Sequence, residues 1–294
     1  MVDVLSPDDT GRALARPPTI TPDGLVATTY PVAEIDLRRA LSQRLIELGI
    51  TDIPEPLETI HHRLPPAKQL EGQSLAGAPT IMSDPTLRAL YRSLVKYLAR
   101  EVLRQDVVFE ANPPLRFHFP MRMPDRLRAA DGTMLTHHSD IMGGDPVDQI
   151  NGWLPLTDCD LSATLQFVPF ATSQHCLQRF LLELDNDPTQ LAQSRYRFFD
   201  KLVSDSSMRR QVVSETRPMR TKYGEVVLFD ARLIHGTAEN VEDTTRVSID
   251  FRLLPVVVYD ELAPRWREHS TERSSRWAQP LMGQFYDEVR AYEL

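Results

Sequence analysis

Residues 224–258 read GEVVLFDARLIHGTAENVEDTTRVSIDFRLLPVVV, and this stretch decides the fold. EVVLFD and RVSIDFRLLPVVV are short runs rich in β-branched and aromatic residues, separated by Gly, Asn and Asp, which is the composition of strands joined by turns. The same texture begins near Val107, with VVFE, LRFHF, TMLTHH, QINGWLPL and ATLQFVPF. Several short strands at this spacing, without an internal repeat, predict a mainly β fold, a sandwich or closed barrel, with helices added to it.

Outward from that core the periodicity changes. Leu37, Leu41, Leu45 and Leu48 recur every three or four residues before Gly49, so an amphipathic helix is expected over 32–49. Positions 50–80, rich in Pro and Gly, read as loop. Ser83-Asp84-Pro85 then opens a second helix whose apolar stripe is Leu87, Leu90, Tyr91, Leu94, Leu98 and Val102. The expected organisation is an extended arm over 1–30, then one domain over 31–294. Within that domain, supporting helices fill 31–105 and a β core fills 106–258, interrupted by a helical insertion over 176–210. The segment 259–294 ends the chain, with an Arg-rich run, WREHSTERSSR, as a candidate lid and a candidate last helix over 279–292.

Composition narrows the function. The chain has 294 residues, is 41% apolar and 25% charged, and carries a net charge of −8, which argues against a nucleic-acid groove. No apolar run is long enough to span a membrane. A small-molecule partner is expected. Of the 33 basic residues only Lys68, Lys96, Lys201 and Lys222 are not Arg. Cys159 and Cys176 make no disulfide framework, and the N-terminus MVDVLSPDDTGR lacks the charge and apolar run of a signal peptide, so a cytoplasmic location is expected.

Three pieces carry chemistry: His138-x-Asp140, His235 and Arg246 with Ser248. With eight His and 41 acids in the chain, about one His-x-acid triplet arises by chance, so neither motif means much alone. Together, in one β region, they mean more. On a strand, residues i and i+2 share a face, so His138 and Asp140 can present an imidazole and a carboxylate to one point. A second imidazole, from His235, completes one face of a metal and leaves positions open, the arrangement of non-haem Fe(II) oxygenases, although zinc accepts the same ligands. The Arg246 guanidinium is a planar fork suited to a carboxylate, and Ser248 adds a donor on the same face.

HHSDIMGGDP…INGWLPLTDC and GEVVLFDARLIHGTAEN…RVSIDFR, together with the spacing of these residues, resemble the Fe(II)/2-oxoglutarate-dependent dioxygenases. Within that superfamily the likeness is to the phytanoyl-CoA-hydroxylase-like branch, and to its bacterial antibiotic-biosynthesis members above all. The resemblance implies a double-stranded β-helix, or jelly-roll, core. It implies Fe(II) on His138, Asp140 and His235, and 2-oxoglutarate held by Arg246 with help from Ser248, Thr237 and Asn151. It also implies conversion of 2-oxoglutarate and O2 to succinate and CO2 while a small polar metabolite is oxidised, most simply hydroxylated. An amino acid or an aminocyclitol-type intermediate of specialised metabolism is the substrate class implied. Ring closure, desaturation and epoxidation use the same ligands and stay open, as does a metal-binding jelly roll of isomerase or ligand-binding type. Two departures stand out: Pro169-Phe170-Ala171-Thr172-Ser173-Gln174-His175 replaces the Pro-Gly-Ser-His turn of many relatives, and Gly224-Glu225 replaces a more usual Gly-Asp. The carboxylate of Asp140, kept here, argues against halogenation.

Arg116, Arg122 and Arg252 are candidates for holding substrate, each weighed against a structural ion pair. Arg252 shares a strand face with Arg246, yet six residues span about 20 Å of extended chain, so the two cannot grip one carboxylate. His137 is expected to pack away from the site, His175 to sit in a loop, and His61, His62 and His269 to be solvated. His118, between Phe117 and Phe119, is balanced between core and barrel interior. Trp153 and Phe167 read as core.

Overall fold

The computed structural model describes residues 23–52, 54, 56–64, 69–70, 74–75, 81–120, 136–143, 145–184, 190, 194–268 and 286–289. Its centre is strand β11 (Arg246–Pro255), where alternation decides everything. Val247, Ile249, Phe251 and Leu253 face one way and belong to the main apolar core, while Arg246, Ser248, Asp250 and Arg252 face the other. Strand β11 thus turns an apolar face to the helices and a polar face inward.

Around β11 lie β1 (Leu25–Thr29), β4 (Val107–Glu110), β5 (Leu115–His118), β6 (Ile150–Pro155), β9 (Glu225–Asp230) and β12 (Tyr286–Val289), in the order β1-β9-β6-β11-β4-β12 with β5 also on β11. A smaller sheet, β10 (His235–Thr237), β7 (Leu165–Phe167) and β8 (Arg217–Pro218), runs in the order β10-β7-β8. Trp153, Val227 and Phe229 of the large sheet meet Leu165 and Phe167 of the small one, so the two antiparallel layers enclose an inner core as a jelly roll.

Helices cover the outer faces. Helix α1 (Leu37–Glu47) is capped by the Asp36 side chain, which accepts from Arg39 N, and stops just before Gly49. Helix α2 (Pro85–Tyr97) is capped by Asp84, which accepts from Thr86 N and Leu87 N, as Ser83-Asp84-Pro85 predicts. Tyr91 of α2 meets the Phe251 ring edge-on at 5.8 Å. That ring lies over Gly152, where a Cβ would come within 2.1 Å of it, so only glycine fits opposite Phe251 in the register. The helical insertion starts earlier than expected: α3 (Phe170–Glu183) begins directly after Pro169, followed by α4 (Arg195–Ser204) and α5 (Ser206–Glu215). Buried Leu177, Phe180, Phe198 and Val212 pack there with Ile141, Val168 and Ile234.

Four expectations are corrected. Part of the arm, Leu25–Thr29, is an edge strand paired with β9. The loop at 50–80 contains a 3-10 turn, Leu57–His62, and a short hairpin, β2 (Gln69–Leu70) with β3 (Ser74–Leu75). Pro255 ends β11, and the run after it forms α6 (Val256–Glu268), because Val256, Val258, Tyr259 and Ala263 can bury against Val108 and Leu254. Tyr286–Val289, expected as helix, pairs with β4 instead, which takes up the backbone groups of an otherwise open sheet edge. The remainder of 279–292, most of the lid run and the arm before residue 23 lie outside the described residues.

Candidate metal centre

His138, Asp140 and His235 come together, with their ligating atoms all within 4.8 Å of one another. His138 Nε2 and His235 Nε2 stand 3.6 Å and 3.8 Å from Asp140 Oδ1. The local path differs from the expected single strand. His138 forms an isolated bridge with His235, each N–H donating to the other's carbonyl at 2.8 Å, while Asp140 begins a 3-10 turn, Asp140–Gly143, anchored by Asp140 N on Ala231 O. Gly236 permits this approach: a Cβ there would lie 2.7 Å from Thr136 Oγ1 and 3.0 Å from His137 N.

Each imidazole is aimed by its other nitrogen. His138 Nδ1 donates to Thr136 O at 2.8 Å and His235 Nδ1 to Leu233 O at 3.0 Å, which fixes the tautomer and turns both Nε2 lone pairs toward Asp140. Burial lowers the pKa of both rings, an effect stronger than the opposing pull of Asp140, so they are neutral ligands at ordinary pH. Arg252 Nη2 donates to Asp140 Oδ2 at 2.9 Å, and its Nη1 faces Glu110 Oε2 at 3.7 Å. Although burial alone would lower the Arg252 pKa, Asp140, Glu110 and further carboxylates raise it well above the ordinary value. Asp140 is therefore held by a cation on one oxygen and presents the other to the two imidazoles.

A cavity beside this cluster is lined by Asp140, Asn151, Trp153, Phe229, His235 and Arg252, among others. Asn151 Oδ1 accepts from Gln149 Nε2 at 2.7 Å, while its Nδ2 is buried and has no partner. Farther along β11, Arg246 is 4% exposed, with Nε and Nη1 unpartnered, and Ser248 Oγ is buried and unpartnered as well. Burial depresses the Arg246 pKa. A desolvated guanidinium and hydroxyl with unfilled donors on an inner wall fit an anionic group, and the two-imidazole, one-carboxylate set fits a divalent metal with open positions. The residues thus suit both iron and 2-oxoglutarate.

The other expected residues fall as follows. Thr237 ends β10 opposite Leu165, half-buried. Arg116, opposite Ser248 in the register, is exposed and paired at 3.2 Å with Asp250, which lines the cavity. Arg122 and His269 lie outside the described residues. His137 Nε2 is hydrogen-bonded to the Thr216 hydroxyl at 3.0 Å, away from the cluster. His175 is exposed on α3 rather than in a loop, because the helix starts at Phe170. His61 is largely buried and bonds Thr245 Oγ1 at 2.8 Å, whereas His62 is exposed beside Asp243. Trp153 is core, as expected, but its Nε1 has no partner and its ring lies 5.9 Å from the Arg246 guanidinium carbon. Two residues of α4 escaped the sequence reading. Arg195 Nη2 lies 3.4 Å from His138 Nδ1, and the Phe199 ring is edge-on to His138 at 6.3 Å. No motif marks them.

Comparison with known proteins gives the following likenesses. A streptomycin biosynthesis protein, StrG of Streptomyces griseus, is 35% identical over 77 residues, which cover 26% of this chain and only about a third, 35%, of that protein. Among solved structures, the carbocyclase SnoK from nogalamycin biosynthesis is 14% identical, with 94% of this chain and 96% of that one covered and a TM-score of 0.48. EctD from S. alaskensis is 13% identical, with coverages of 87% and 81% and a TM-score of 0.46. The family model for phytanoyl-CoA dioxygenase (PhyH) matches residues 70–248, more than half of the chain. The chain belongs to the phytanoyl-CoA dioxygenase family, whose enzymes use non-haem iron and 2-oxoglutarate.

Proposed function

We propose that this chain oxidises a small polar metabolite, with Fe(II) held by His138, Asp140 and His235 and 2-oxoglutarate held through its remote carboxylate by Arg246 and Ser248. The observation that carries the reading is the buried, unfilled Arg246–Ser248 wall inside the same barrel as the two-imidazole, one-carboxylate cluster. When bound, iron and 2-oxoglutarate supply the oxidising power, with 2-oxoglutarate and O2 ending as succinate and CO2.

The chain's own residues supply position. Thr136 O and Leu233 O aim the imidazoles, and Arg252 holds Asp140. Arg246 and Ser248 orient the co-substrate, with Thr237 and the free Asn151 Nδ2 as further donors toward it. Trp153, Leu165 and Phe229 give the cavity apolar walls, which disfavour bulk water beside the metal.

Hydroxylation of an amino acid or an aminocyclitol-type intermediate is the outcome proposed. The likeness to the streptomycin biosynthesis protein supports specialised metabolism, and the compact cavity, with Asn151, Asp250 and Arg252 among apolar Trp153, Leu165, Phe229 and Phe251, supports a small substrate. The test is anaerobic: Fe(II) with 2-oxoglutarate should give the weak visible charge-transfer band of the chelate. Absence of the band, with metal content unchanged in His138→Ala, defeats the reading. A metabolite screen reporting succinate formation then identifies the substrate.

A further inference from the structure

Arg246 of β11 stands directly opposite His118 of β5 in the antiparallel register. Such partners project to the same face with Cβ atoms about 4.5–5.5 Å apart, so the imidazole shares the inner wall with the guanidinium. The strand end carrying His118 is fixed from behind, since Asn240 Nδ2 donates to His118 O at 2.9 Å. His118 is fully buried, and neither ring nitrogen has a hydrogen-bond partner. Arg246 Nε and Nη1 and Ser248 Oγ on the same wall are in the same state.

Nothing in the packing asks for an imidazole here. The neighbouring positions, Phe117 and Phe119, are buried aromatics, and an apolar ring would fill the space without leaving polar atoms bare. A buried N–H without a partner bears its desolvation uncompensated, a cost that is removed when an acceptor arrives. Burial, reinforced by Arg246, holds the ring neutral, so it offers one N–H donor and adds no second positive charge beside the guanidinium.

We propose that His118 is a third donor to the remote carboxylate of 2-oxoglutarate, forming with Arg246 and Ser248 a cradle that selects a 2-oxo acid carrying a distal anionic group. The inference rests on the co-substrate role given above to Arg246 and Ser248, and it adds a selecting residue from a different strand. The guanidinium supplies charge, and the hydroxyl and imidazole supply direction. Because all three donors face the far end of the co-substrate, His118 acts on that end and not on the metal-binding end.

The test compares binding of 2-oxoglutarate with binding of 2-oxopentanoate, which lacks the distal carboxylate, by anaerobic titration of the visible band of the Fe(II) protein. Wild type should prefer 2-oxoglutarate strongly. His118→Leu should weaken 2-oxoglutarate about tenfold, which is about 1.4 kcal/mol, and leave 2-oxopentanoate unchanged. His118→Gln, which keeps a donating amide, should recover most of the loss. His118→Phe, matched to its aromatic neighbours, gives the same reading should the Leu variant fail to fold. Equal weakening of both 2-oxo acids, or an unchanged preference in His118→Leu and His118→Phe, overturns the role of His118. A wild type that binds both acids alike overturns the Arg246–Ser248 reading itself.

Discussion

The two ends of the barrel interior differ in how their polar groups are satisfied. At the metal end, each imidazole donates to a backbone carbonyl and Asp140 is bonded by Arg252. At the other end, Arg246, Ser248 and His118 are equally buried, yet their donors lack partners. At the metal end the side chains of His138, Asp140 and His235 are each aimed by a bond within the fold, so their geometry exists before any ligand arrives, although Arg252 Nε and Nη1 and Asn151 Nδ2 beside them are buried without hydrogen-bond partners. The other end stores the cost of a bare cation, which an anion relieves on binding. On the proposed function, preorganisation and selectivity are separated along one strand, β11, which carries both Arg252 and Arg246.

This contrast can be broken most forcefully by neutralising each arginine in turn. Arg252→Met leaves Asp140 buried without its cation and should destabilise the ligand-free protein by about 3–5 kcal/mol, read by denaturant unfolding. Arg246→Met should do the opposite in the ligand-free protein, raising its unfolding midpoint, because an unpaired buried charge is replaced by an apolar chain. It should at the same time weaken 2-oxoglutarate by a factor of roughly 30 to several thousand, equivalent to about 2–5 kcal/mol, with iron binding little changed. Stability changes of the same sign in the two variants would end the distinction between the ends.

Smaller perturbations sharpen it. Gly236→Ala forces a Cβ against Thr136 Oγ1 and the His137 backbone, between the two histidine segments. It should cost about 1–3 kcal/mol and lower metal affinity while sparing the Arg246 wall. A melting curve with and without Mn(II) checks both effects.

The smallest effect is one of pH. The folded pKa of His118 lies well below 6.5, through burial first and Arg246 second, so the unfolded chain takes up this proton while the folded one does not. Its stabilising share is complete above about pH 6.5 and is lost as the pH falls toward the folded pKa. His118→Gln should therefore flatten the fall in stability below pH 6.5, by at most about 1.4 kcal/mol per pH unit. An unchanged slope in urea titrations at pH 5 to 7 would show that His118 is solvated.

Much of the site was legible in the chain because its elements are local. RVSIDFRL alternates polar and apolar residues, and His138-x-Asp140 and Arg246-x-Ser248 carry their chemistry within three residues. The helix start at Asp84 follows from a cap that reads only the next turn, whereas the first helix, expected from Val32, begins only at Leu37 after the Asp36 cap. What failed came from tertiary demand: the valines after Pro255 turn into a helix to bury against Val108 against their β propensity, while Leu25–Thr29, whose Val and Thr suit a strand, pairs with β9. Among the described residues, no helix is long and apolar enough to cross a membrane.

By itself the sequence determined the candidate ligand types, the alternating faces of β11 and a mainly β core, since composition and a period of two act over a few residues. Only the tertiary structure decided that Arg252 serves Asp140, that His118 faces Arg246 and that α4 brings Arg195 and Phe199 beside His138. Strand register and helix docking join residues up to more than a hundred positions apart, and nothing in the local chain specifies which partner lies across the ladder.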